Sequence, residues 1–297
     1  MHNLQLGYLG FGSQVPDLTA SFFENVLGVE IAGTDVDGSL FRIDERSWRF
    51  GVKESPVNDI EYLGLDVPDL GVLEWCVERL HAAGFETQEE ATGRVGERGA
   101  TRLVRVTDPD GLRVELAYGA RAEVARPYLS PYGHEFVTTP LGLGHVVLAT
   151  RDMPEALRFY QTLGFRITDV ADIPADTGEV RSVTFLRCNP RHHSLALVPA
   201  DLPRRLRHIM VEMATVDDVG RTFDRALAGG FVSRTLGRHI NDGMLSFYVN
   251  APGEIEIEIG CQGRLIDDAS WAVSRYAGRP SSWGHQVIRD NAIQNRD

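Results

Sequence analysis

The chain is written twice. Residues 22–31, FFENVLGVEI, resemble residues 158–167, RFYQTLGFRI, and Phe23, Leu27 and Gly28 fall on Phe159, Leu163 and Gly164 at one offset. Residues 63–85, LGLDVPDLGVLEWCVERLHAAGF, run without a gap alongside residues 209–231, IMVEMATVDDVGRTFDRALAGGF. The ends match as well: DPDGLRVELAYG (108–119) faces APGEIEIEIG (251–260). Three matches in the same order point to two copies of one structural unit. With 297 residues, each copy is long enough to bury a core of its own.

Each copy reads as strand, helix, then strands, twice over, which is an α+β pattern. The helix near 153–163 shows the signals: Asp152 as N-cap, Pro154 in the first turn, an apolar stripe of Met153, Leu157, Tyr160 and Leu163, and Gly164 to end it. The runs HVVLA, VTFLR and SLALV, rich in β-branched residues, read as strands. Proline, glycine and arginine break all periodicity at about 120–138, which is read as the linker. The expected division is an N-terminal domain over 1–125, a C-terminal domain over 139–265, and a tail over 266–297 that packs back through Trp271 and Trp283.

Bulk properties narrow the function. A net charge of −12 disfavours nucleic acid or an anionic membrane as partner. No apolar run is long enough to span a bilayer, and the first basic residue is Arg42, so neither a membrane span nor a leader is expected. Three scattered cysteines (Cys76, Cys188, Cys261) suit reduced thiols and a cytoplasmic address. Lys53 is the single lysine, which makes Schiff-base chemistry improbable.

Comparing the copies position by position is more telling. His145 in GLGH stands where the first copy has Tyr8 in QLGY, and His208 stands on Tyr62. Glu258 lies six residues after Pro252, as Glu115 lies six after Pro109. The strand GEIEIEIG places Glu254, Glu256 and Glu258 on one face, and the proline register selects Glu258 as the buried one. The second half therefore carries His, His, Glu where the first carries Tyr, Tyr, Glu. Two imidazoles and a carboxylate on rigid strands are the ligand set of a mononuclear iron(II) site with open positions; manganese or zinc suits the same donors. His193, His239 and Tyr248 lie close by in sequence and can move protons or hydrogen-bond a substrate oxygen. His192 reads as a surface loop residue.

Together these residues resemble the two-domain type I extradiol catechol dioxygenases. LGYLGF, LFRIDERSW, GLGH, CNPRHHSLAL, TLGRHINDGMLSFY and the closing SSWGH carry the likeness over nearly the full length. The resemblance implies the vicinal oxygen chelate fold: four βαβββ modules, two per domain, each pair curled into an open barrel. It also implies Fe(2+), or Mn(2+), held by His145, His208 and Glu258. His193, His239 and Tyr248 would then be catalytic groups supported by Asn241 and Asp242. A homo-oligomer is implied too. One departure is Glu254, which stands where the family carries glycine, while Gly253 comes one residue early; this puts the turn geometry in question.

The expected reaction is O2-dependent cleavage of a catechol ring beside its two hydroxyls, with 2,3-dihydroxybiphenyl as an example substrate. Dihydroxynaphthalene or a steroid catechol is an alternative. A largely apolar pocket is expected, because no arginine or lysine sits in a motif position. Two other classes share the fold: a metal-free binding protein, and a zinc- or nickel-dependent isomerase of the glyoxalase type.

Overall fold

A computed structural model describes residues 3–35, 38–174 and 178–288. The first module runs β1 (Gln5–Ser13), α1 (Pro16–Phe22), β2 (Glu30–Asp35), β3 (Gly38–Arg42) and β4 (Phe50–Glu54). The second runs β5 (Asp59–Val67), α2 (Leu70–Ala82), β6 (Thr87–Glu89), a short α3 (Thr92–Glu97), β7 (Arg102–Thr107) and β8 (Arg113–Tyr118). The third has β9 (His145–Thr150), α4 (Met153–Thr162), β10 (Arg166–Pro174), β11 (Val180–Arg187) and β12 (Leu195–Pro199). The fourth has β13 (Leu206–Glu212), α5 (Val216–Ala228), β14 (Val232–His239), β15 (Leu245–Ala251) and β16 (Ile255–Cys261). The fold is thus mixed α+β, with βαβββ modules paired into two sheets.

The repeat read from the sequence is a repeat in space. Helices α2 and α5 begin and end at the offset of the gapless match, and the side chains of Asp69 and Thr215 cap them by accepting from Val72 N and Asp218 N. Asp152 caps α4 likewise, and Gly164 follows that helix at φ +92°, as Gly28 follows the first module's helical turn at φ +71°.

The first sheet has strand order β2-β3-β4-β1-β5-β8-β7-β6. The second has the equivalent order from β10 to β14, extended at both edges by tail strands β17 (Ser274–Ala277) and β18 (Ser281–Trp283). The tail thus packs back on the second sheet, and the Trp271 indole donates to the Thr168 carbonyl, whereas Trp283 stays half exposed. The last part of the expected tail, 289–297, lies outside the described residues. One continuous core of aliphatic and aromatic side chains runs through both halves. Among the described residues no helix is long and apolar enough to cross a membrane.

One local reading needs correction. β16 starts at Ile255, so Glu254 is not a strand residue. Gly253 (φ +81°) and Glu254 (φ +58°) turn the chain together, and Glu254 projects outward to pair with Arg204 at 2.6 Å. The ladder resumes at once with Ala251 opposite Ile255 and holds to Tyr248 opposite Glu258. The turn therefore bears a left-handed non-glycine residue, at a cost of about 1–2 kcal/mol, without shifting Glu258.

Candidate metal centre and active site

Three adjacent strands build the centre. β9 runs antiparallel to β13 with His145 opposite Met210, and β13 runs parallel to β16 with Met210 opposite Glu258. Residues opposed across a ladder share a face, so His145 and Glu258 flank Met210 on one level. His208 precedes Met210 by two and joins the same face. Nε2 of His145 lies 3.3 Å from Nε2 of His208 and 3.4 Å from Oε2 of Glu258. His208 Nε2 is 3.5 Å from that same oxygen. Neighbouring donors bound to one ion at about 2.1 Å stand roughly 3.0–3.4 Å apart, so the triangle has the span a single divalent ion imposes. Neutral imidazole and carboxylate donors fit iron(II) or manganese(II). A looser set, His145, His193 and Asp242, also brings its donors within 4.8 Å of one another.

Electrostatics prepare these groups as ligands. Burial pushes the Glu258 carboxyl up, but the charge on His239 and hydrogen bonds from His145, His208 and His239 outweigh it and hold the group well below the usual carboxylate range. Ser246 Oγ donates a further 2.6 Å bond to Oε1. Burial holds His145 below the ordinary imidazole value against the pull of Glu258, which keeps a lone pair free for coordination. His239 moves the other way: burial opposes, yet the Glu258 charge and hydrogen bond raise it to about 9.

The remaining sequence-selected residues surround this triangle. His193 stacks on His145 with ring centroids 4.0 Å apart, and burial followed by the nearby His145 and His192 holds it well below the ordinary imidazole value. Tyr248 and His239 share a 2.8 Å hydrogen bond between the phenol oxygen and Nε2. Burial, reinforced by the charge on Glu258, raises the Tyr248 phenol, so it remains a hydrogen-bond donor. Asp242 Oδ1 accepts from Met244 N at 3.0 Å, while Oδ2 lies 3.9 Å from His193 Nδ1. All eight, Asn241 included, line one cavity of about 1110 Å³.

The cavity departs from expectation at its mouth. Val147, Val183, Phe185, Ala196 and Val198 form an apolar wall, but Arg181, Arg207, Arg234 and Arg279 also line the space. Arg181 and Arg207 come from solvent-facing strand positions and Arg279 from the tail, none of them in a motif. Arg234 pairs with Glu256 at 3.4 Å and lies over the Tyr248 ring.

His192 is the clearest miss. It is no surface residue: its side chain is buried, with Nε2 2.9 Å from Asp169 Oδ2 and Nδ1 3.1 Å from His193 Nδ1. His285, in the closing SSWGH, also lies at the site. Its Nε2 lies 3.1 Å from Ser246 Oγ, and its ring stands 4.3 Å from that of His239.

Residues 142–259 match the Glyoxalase/Bleomycin resistance protein/Dioxygenase superfamily. Over 293 residues, 97% of this chain and 95% of the relative, the sequence is 41% identical to the biphenyl-2,3-diol 1,2-dioxygenase of Metapseudomonas furukawaii. The chain belongs to the extradiol dioxygenases. Within that family it is also 40% identical to an iron-dependent extradiol dioxygenase of Rhodococcus jostii, over 88% of this chain and 89% of the other. The crystal structure of a halotolerant catechol dioxygenase superposes on this extradiol fold with a TM-score of 0.88 at 31% identity, covering 96% and 95% of the two chains.

Proposed function

We propose that this extradiol dioxygenase opens an aryl-substituted catechol, 2,3-dihydroxybiphenyl being the type substrate, with iron(II) or manganese(II) held by His145, His208 and Glu258. The observation that carries the proposal is the triangle of donors 3.3–3.5 Å apart, with His193, His239 and Tyr248 on the same cavity. Held by these three side chains, the ion would supply a meeting point for catechol oxygens and O2 and would lower the catechol's pKa.

The chain's own residues do the rest. Val147, Val183, Phe185, Ala196 and Val198 hold the second ring by apolar contact and keep water from it. The Tyr248 hydroxyl and His239 imidazole, already paired at 2.8 Å, are placed to hydrogen-bond a catechol oxygen and fix its deprotonated form. His193, neutral by virtue of its burial, takes the second hydroxyl proton at a ring nitrogen and returns it to oxygen as the O–O bond breaks. Asn241 and Asp242 support that group. The ring carbon–carbon bond beside one hydroxyl is broken, both atoms of O2 enter the product, and a muconic semialdehyde-type acid results, yellow in neutral solution. Three buried free cysteines are in keeping with a reduced cytoplasmic setting, and we take the working assembly to be a homo-oligomer. The test is oxygen uptake and yellow-product formation by iron-loaded protein on a panel of catechols. Turnover of dihydroxybiphenyl above catechol supports the reading, and no turnover of any catechol overturns it.

A further inference from the structure

Behind the cavity wall, two buried polar groups that the proposed chemistry does not use lead up to His193. Asp169 sits on β10, just past a bulge in its ladder with β11, opposite Phe185. Its Oδ2 lies 2.9 Å from His192 Nε2, and His192 Nδ1 lies 3.1 Å from Nδ1 of His193. All three side chains are within a few per cent of full burial. The other carboxylate oxygen of Asp169 accepts from Ser274 N and Oγ on tail strand β17.

Proton accounting assigns directions. A carboxylate only accepts, so His192 donates from Nε2 to Asp169. With its Nε2–H given to Asp169, the His192 tautomer that fits the 3.1 Å contact offers Nδ1 as acceptor to His193 Nδ1–H. His193 has one nitrogen left, Nε2, and it is the unprotonated one. A buried carboxylate orienting an imidazole and fixing its tautomer is a recurrent device for preparing a base.

The first half supplies a control. It has the same bulge and register, with Gly33 opposite Leu40 where Asp169 is opposite Phe185. In the matching segments, RIDERSWRF (42–50) and RCNPRHHSL (187–195), Ser47 stands for His192 and Trp48 for His193. The half without the metal triad thus lacks all three groups.

We propose that Asp169 and His192 are positioning residues that hold His193 as its Nδ1–H tautomer, with Nε2 bare toward substrate. When His193 takes the catechol proton at Nε2, no proton leaves the chain of groups; the Nδ1–H bond to His192 tightens and Asp169 balances the charge. The inference rests on the proposed ring cleavage for its kinetic consequence but not for its structural one.

The test is therefore double. Nitrogen-15 spectra of the metal-free, histidine-labelled protein should show His193 protonated at Nδ1, and that signature should be lost in Asp169→Asn and in His192→Gln. In the iron-loaded enzyme both variants should lose about 10- to 100-fold in kcat with iron content and anaerobic catechol affinity unchanged. Ser274→Ala, which removes only the hydroxyl bond to the outer oxygen of Asp169 and leaves the backbone one in place, should keep wild-type kcat and controls for loosening of the tail. His193 protonated at Nε2 in the wild type, or unaltered kcat in both variants, would overturn the assignment. An enzyme inactive on every catechol would instead sink the ring-cleavage reading and leave the tautomer result standing.

Discussion

The two halves have one scaffold and opposite interiors. In the first, Tyr8 is opposite Gly64 and Gly64 opposite Glu115, the same ladder that joins His145, Met210 and Glu258 in the second. Yet Tyr8 donates a 2.7 Å hydrogen bond to Glu115 Oε2, and the same oxygen accepts from Arg98 Nε at 2.7 Å. The Arg98 guanidinium lies 4.0 Å over the Tyr62 ring, and Trp48 packs 4.9 Å from Tyr8. Glycines 10 and 64 make room: a Cβ on either would strike the Tyr62 or Tyr8 ring. One half thus closes its barrel with aromatic rings and a built-in cation, while the other leaves a cavity with its carboxylate aimed at an open point. The lesson is that a buried carboxylate on this scaffold needs a positive partner: Glu115 has Arg98, Glu258 has the His239 imidazolium, and the metal proposed for the second half would add to it.

The largest effect expected is on metal content. Glu258→Ala and His208→Ala should purify without iron after loading and consume no oxygen on catechols, whereas Glu115→Gln should hold as much iron as wild type. Equal iron in all of them would erase the distinction between the halves. Next comes chemistry without metal loss: His193→Ala should keep its iron and lose about 10²- to 10⁴-fold in turnover, measured by product absorbance. Its counterpart by position, Trp48, is buried in the first half and does not line the cavity, so Trp48→Phe should leave kcat near wild type.

A smaller effect, on stability, tests the built-in cation. Arg98→Met leaves the buried Glu115 with Arg113, 3.1 Å away, as its remaining cation and should cost at most about 3–5 kcal/mol in urea unfolding, the figure for a charge left wholly unpaired. The double variant Arg98→Met/Glu115→Leu should recover most of that, because removing both charges is far cheaper than removing one. Failure of the double variant to recover would mean that Arg98 acts by packing alone.

The seam between the halves gives the smallest effect. His134, in the linker, packs between Tyr132 and Phe136, and burial first, then the charge on Arg225, lowers it to about 4. The folded state therefore binds fewer protons than the unfolded chain between about pH 4 and the ordinary imidazole value near 6.5. Its contribution is complete above that window and declines as pH falls through it. His134→Phe should lose less stability than wild type between pH 7 and pH 5 in chemical denaturation.

What the sequence revealed and hid follows from the same comparison. The duplication placed helices α2 and α5, and substitution within it marked His145, His208 and Glu258, because a strand position that must face the cavity can change chemistry without changing backbone. Arg98 escaped, since it follows a short helix that the second half lacks and so has no aligned partner. His192 is illegible in the sequence because a histidine doublet between strands looks like exposed loop, and only the bulge that brings up Asp169 shows otherwise. The arginines at the cavity mouth come from solvent-facing strand positions and from the tail, which no local pattern assigns to a pocket.

Anomalous diffraction at the iron edge, from crystals of the iron-loaded protein, puts the difference between the halves to the most direct test. The account predicts one peak per chain, at bonding distance from His145 Nε2, His208 Nε2 and Glu258 Oε2, and no peak beside Glu115. A peak in the first half, or an iron bound away from Glu258, would contradict it.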